Sequence, residues 1–166
     1  MVANTGTYVD SPFHRYADGN DLSELPLESL ANLRCVVVRV VERDGRAIDR
    51  APLNQDLRGA ALLFHTGWDT HWRTDQYFEG HPYLTGALAA HLVVAGVALV
   101  GIDSFNIDCT DGGERPVHST LLGAGIPIVE HLCGLQALPE TGARFYAVPV
   151  KVKGMGTFPV RAFASI

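Results

Sequence analysis

Three short segments hold most of the side chains able to bind a metal ion or move a proton. The first is "NTGTYVDSPFH", Asn4 to His14, which gathers an amide, a phenol, a carboxylate and an imidazole around Gly6. Asp10 and His14 are four residues apart, but Pro12 between them argues against a regular helix and stiffens the loop that carries His14. The second is "HSTLLGAGIPIVEHL", in which His118 and Glu130 bracket a mostly apolar connection. A neutral imidazole and a carboxylate that converge can hold Zn or Mn. The third is "GIDSFNID", where Asp103, Ser104, Asn106 and Asp108 follow an apolar run, the place where α/β folds often line a site. Each has a plainer use: Asp10 capping a turn, His118 satisfied in a core, Glu130 paired at the surface, the third group closing backbone hydrogen bonds.

These segments need a scaffold, and the rest of the chain supplies one. "RCVVVRVV", Arg34 to Val41, is rich in β-branched residues and reads as a strand, with Asp44-Gly45 after it as a hairpin turn. "AALLFHTG" reads as a buried strand ending at glycine. "LTGALAAHLVVAG", Leu84 to Gly96, has helical spacing with Leu84, Leu88, Leu92 and Ala95 on one face and Gly96 as its stop. "VALVGID" is the next buried strand, and a helix feeding a strand through a short glycine turn implies a parallel or mixed sheet. "HSTLLGAG" reads as a short helix, with "ARFYAVPVKV" and "FPVRAFA" as the last two strands and Pro149 making the first an edge or bulged strand. The class is α/β with few helices.

Composition narrows the function. The 166 residues are 47% apolar and 19% charged, an ordinary globular balance that fits one domain. A net charge of -5 without a basic stripe argues against nucleic acid, and no apolar run is long enough for a membrane span. The N-terminus has no signal-peptide pattern, and Cys35, Cys109 and Cys133 are an odd, widely spaced set, the usage of a cytoplasmic protein with reduced thiols. "GMGTF", Gly154 to Phe158, lacks the lysine of a phosphate loop. "GWDTHWRTDQYF", with Trp68 and Trp72, can line a pocket for a planar substrate or pack at a subunit contact.

Taken together, the segments resemble the cyclase family that includes the bacterial kynurenine formamidases. The family signature, His-x-Gly-Thr-His-x-Asp-x-Pro-x-His, is followed at Gly6, Thr7, Asp10, Pro12 and His14, with Asn4 and Tyr8 where the family has its first two histidines. "TGWD", "HPYLTGALAAHL", "GVALVGIDSFNID" and "HSTLLGAGIPIVEHL" follow in the family's order. The resemblance implies a swivelling β/β/α fold, homo-oligomeric assembly as a dimer or tetramer, and metal-dependent hydrolysis of a small amide or cyclic amide, arylformamidase-like. It implies Asp10, His118 and Glu130 as ligands of one Zn or Mn per chain, with His14 as the acid-base group. Tyr8 then becomes an oxyanion donor, and Asn4, Trp68 and Ser104 substrate contacts. The signature starts almost at Met1, so residues 1–166 are expected to form a single cyclase-like domain lacking the family's usual N-terminal segment. The alternative is a non-catalytic homologue that binds a small ligand or a partner, since an Asn carbonyl and a Tyr phenol are poor replacements for imidazole.

Overall fold

The computed structural model describes residues 2–42, 44–51 and 55–166. In chain order the strands are β1 (Tyr8–Asp10), β2 (Leu33–Arg39), β3 (Ala47–Ile48), β4 (Ala60–His65), β5 (Tyr83–Leu84), β6 (Leu99–Ile102), β7 (Ile128–Glu130), β8 (Thr141–Tyr146), β9 (Thr157–Pro159) and β10 (Phe163–Ser165). Two α-helices, α1 (Gly86–Ala95) and α2 (Pro116–Gly123), precede β6 and β7 respectively.

Eight strands form one mixed sheet in the order β10-β8-β2-β4-β6-β7-β1-β9. β2, β4, β6 and β7 are mutually parallel, and the strands outside them pair antiparallel. The parallel strands read as unbroken apolar runs because both of their faces are covered. Val36, Val38, Leu62, Phe64, Val100 and Ile102 pack with Leu88, Ala89 and Leu92 of α1 and Val117, Leu121 and Leu122 of α2. The alternate residues Cys35, Val37, Ala61, Leu63 and Leu99 form the opposite core with Val9, Val129 and Phe145. α1 is capped by the Thr85 side chain, which accepts from Leu88 N, and stops at Gly96, whose φ of 71° suits glycine.

The two rims of this sheet, β9 and β10, are consecutive in the chain and joined only by residues 160–162. Seven spacings in a flat sheet would separate them by about 34 Å. Four Cα steps reach about 14 Å at most. The sheet is therefore curled until its rims nearly meet, which turns the second core inward.

Three sequence expectations change here. Asp44-Gly45 does not make a hairpin from β2: both edges of β2 are taken, by β4 and β8, and β3 pairs parallel with β5 in a separate sheet. "FPVRAFA" is two strands on opposite rims. β8 ends at Tyr146, short of Pro149, which has no N–H to give a ladder.

Candidate active site

The site forms where β1 lies between β7 and β9. Register places Tyr8 opposite Glu130 on one side, and Asp10 opposite Thr157 on the other. Beyond β1, Pro12 opens a single turn of 3-10 helix, Pro12–His14, that lifts His14 over the strand ends. Gly156 packs directly beneath: a Cβ there would lie 2.4 Å from the His14 backbone nitrogen, so only glycine allows this approach.

His118 projects from α2, and its ring is fixed from behind. Asp108 accepts from Val117 N at 2.8 Å and His118 N at 3.0 Å, capping the helix, and its Oδ2 lies 2.7 Å from His118 Nδ1. An ionised carboxylate only accepts, so Nδ1 carries the proton and Nε2 faces the site. His118 Nε2 stands 3.6 Å from Asp10 Oδ2 and 3.8 Å from Glu130 Oε1. Ligand atoms of Asp10, His14 and His118 all lie within 4.8 Å of one another.

Asp10 Oδ1 accepts from the Thr157 hydroxyl, whereas Oδ2 is buried and has no hydrogen-bond partner among the described residues. An orphaned buried carboxylate oxygen is costly unless something cationic meets it. Two ligands at about 2.1 Å from a tetrahedral ion stand about 3.4 Å apart, close to the separations seen. A carboxylate and an imidazole at that spacing fit a divalent cation; His14 completes the compact group with them, and Glu130 lies 3.8 Å from His118. The electrostatics agree. Burial opposes charging of His118, but the carboxylates of Glu130, Asp10 and Asp108 outweigh it and hold its pKa at about 10. Burial pushes Glu130 above the usual carboxylate range. The site thus attracts positive charge.

His14 is held differently. Its Nδ1 lies 2.6 Å from Thr157 Oγ1, and the one hydroxyl proton of Thr157 goes to Asp10. Thr157 therefore accepts from His14 Nδ1–H, which leaves the lone pair of the neutral ring on Nε2. The His14 side chain is 44% exposed, against 6% for His118. Thr157 lies in "GMGTF", whose composition marks neither a phosphate loop nor a proton relay. A lone Thr 147 residues from its carboxylate partner gives no local signal.

The remaining expected residues separate. The Tyr8 phenol donates to Glu130 Oε2, and Glu130 Oε1 accepts from Ile107 N at 2.6 Å. Burial, then Glu130, raises the Tyr8 pKa far above the ordinary phenol range, so in the metal-free chain the phenol keeps its proton. With its proton given to Glu130, Tyr8 has none free for an oxyanion in this arrangement. Ser104 is fully buried and donates to Pro82 O at 2.6 Å, so the packed interior keeps it from substrate. Asp103 binds Thr66 N and Gly67 N and fixes the turn after β4. Asn4 is exposed and lines an open cavity with Phe13, His14 and Thr157.

A second cavity of about 300 Å³ lies along the next residues of β1 and β7, lined by Thr7, Trp72, Tyr77, His131, Leu132 and Cys133 among others. The aromatic stretch contributes Trp72 and Tyr77 to it. Trp68 instead donates Nε1–H to Tyr77 O at 3.0 Å and packs on His71. The Tyr8 and His131 rings are 5.2 Å apart, which joins this cavity to the carboxylate cluster. Burial lowers the His131 pKa to about 4.

The family model described as "Putative cyclase" matches residues 1–109. The chain belongs to this family. A kynurenine formamidase of Salinibacter ruber is 34% identical over 170 residues, covering 98% of this chain and 76% of that protein. A solved structure described as a potential metal-dependent hydrolase with cyclase activity shares 28% identity at a TM-score of 0.77, covering 98% of this chain and 78% of the other. An isatin hydrolase bound to the product analogue thioisatinate has a TM-score of 0.84 at 22% identity, over 96% of this chain and 70% of that one. At that identity the likeness is one of fold. The chain is a cyclase-family hydrolase with the family's mixed, curled sheet.

Proposed function

We propose that this cyclase-family hydrolase cleaves a small amide, either an aryl formamide or a cyclic amide, with one Zn or Mn held by Asp10, His118 and Glu130. The observation that carries this reading is the pair of atoms Asp10 Oδ2 and His118 Nε2. The first is buried without a partner, the second has its ring pinned by Asp108, and they face each other at 3.6 Å. A bound divalent ion supplies Lewis acidity and lowers the pKa of a water from 15.7 to about 7. His14 Nε2 takes the proton of the attacking water and returns it to the leaving nitrogen, and its exposure lets it exchange protons with solvent. Thr157 keeps His14 in the tautomer this needs. Tyr8 acts through Glu130, whose second oxygen it satisfies. The cavity beside Trp72 and Tyr77 has the shape and lining for the planar part of the substrate.

The reading takes residues 1–166 as one hydrolase domain working in the cytoplasm as a homo-oligomer. Three free cysteines support the compartment. Trp72 and Phe78, 46% and 56% exposed, support self-association. No helix among the described residues is long and apolar enough to cross a membrane.

The test is metal analysis of the purified protein, followed by assays of the Zn- and Mn-loaded forms on N-formylkynurenine and isatin. About one ion per chain and turnover abolished by a chelator are expected. A protein that retains no ion at micromolar metal and cleaves neither compound would refute the proposal.

A further inference from the structure

Beside the cluster lies a cavity of about 120 Å³ lined by His14, Arg15, Asn106, Arg115 and His118. No carboxylate lines it. Both guanidinium groups are anchored by neutral partners. Arg15 Nε donates to Ser119 Oγ at 3.0 Å. Arg115 Nη1 donates to the carbonyls of Cys109, Gly112 and Glu114 at 2.8–3.1 Å. Among the described residues neither arginine is in an ion pair, in a chain whose net charge is -5. Asn106 Oδ1 accepts from Asp108 N at 2.9 Å, which leaves its NH₂ as a donor. Arg15, Asn106 and Arg115 therefore offer N–H groups to the cavity, and the two arginines carry fixed positive charge with edges still free.

We propose that Arg15 and Arg115 form a subsite for a carboxylate borne by the amide substrate, so that acidic amides are preferred over neutral ones. The inference rests on the hydrolase reading above and adds the substrate's charge. Because His14 and His118 line the same cavity, a carboxylate held there sits within a few atoms of the bond to be broken. An arginine whose Nη1 or Nε is already fixed loses little freedom on binding it, and the remaining N–H groups make charge-assisted bonds.

The experiment compares N-formylanthranilate, which carries a carboxylate beside the formamide, with the neutral formanilide, on metal-loaded wild type, R15Q and R115K. Neither arginine is a proposed ligand or proton carrier. R115K keeps the charge but not the planar fork, and R15Q leaves the Arg115 loop intact should R115K fold poorly. R15Q should lower kcat/KM for the acidic substrate about ten-fold while formanilide changes less than about two-fold. Equal losses on both substrates, or no loss on either, would overturn the subsite. If no amide is cleaved at all, the proposed function falls instead. Calorimetric binding of anthranilate to wild type and R15Q then decides the subsite alone, with unchanged affinity in R15Q rejecting it.

Discussion

Tyr8 and Glu130 are register partners on β1 and β7, and the phenol of the first donates its proton to Oε2 of the second. The position that holds an imidazole in the family signature has here become a neutral prop for a carboxylate. Tyr8→Phe removes the prop and leaves a fully buried oxygen without its donor. The expected loss is about 1–3 kcal/mol, read from urea unfolding of the metal-free protein. A variant as stable as the parent would show that Glu130 does not need the phenol.

Thr157→Val keeps the shape of the side chain and removes the hydroxyl between Asp10 and His14. The expected result is a fall in kcat on the order of ten- to a hundred-fold with metal content unchanged, and recovery in Thr157→Ser. A thermal scan should separate this from simple misfolding, because a merely destabilised protein loses active fraction as its melting temperature falls.

Gly156→Ala tests the floor beneath His14. The added Cβ meets the backbone of His14 and Phe13 at 2.4–2.8 Å, and backbone cannot swing aside as a flexible side chain would. Overpacking of this kind costs about 1–3 kcal/mol. At about 2 to 4 °C per kcal/mol, the melting temperature should fall by several degrees in a thermal scan.

The proton on His118 makes metal uptake pH-dependent. Its pKa in the folded, metal-free chain is about 10, above the ordinary histidine value of 6.5. A raised folded pKa contributes stability that is fully present below pH 6.5 and is lost as pH rises through about 10. A cation must displace that proton and any held by Glu130, so uptake near pH 7 should release at least one proton per ion, with affinity rising toward alkaline pH. Calorimetry in two buffers of different ionisation enthalpy measures the release, and a value of zero would contradict a protonated His118.

Asp108→Asn weakens the hold on Nδ1 and permits the wrong tautomer. Metal affinity should drop by about 10- to 100-fold without loss of the helix, since an Asn oxygen still accepts from Val117 N or His118 N. Competition against a chromogenic chelator measures the change.

How much of this was legible beforehand depends on how local each signal is. The apolar runs of β2, β4 and β6 and the helix α1 are written in consecutive residues and appear where expected, except that Leu84, expected on the helix face, lies in β5 and α1 starts at Gly86 after its Thr85 cap. Pairing partners are not local: nothing near Asp44-Gly45 says that β8 already occupies the far edge of β2. The same holds at the site. Asp10, His14 and His118 stood out by residue type and by resemblance to a family. Asp108 was among the polar residues expected to line a site, but its hold on His118 shows only in the fold, and Thr157 and the Arg15–Arg115 pair act only through neighbours distant in sequence. Trp68 and Trp72 are four apart in one stretch, and only the turn after β4 decides which of them meets the cavity.

The short span of residues 160–162 ties the grip on Asp10 and His14 to the far rim of the sheet. Thr157 on β9 holds both side chains, and four residues after Pro159 the chain is already paired with β8 through β10. Whatever loosens that span lets the rims part and slackens the hold on both groups at once.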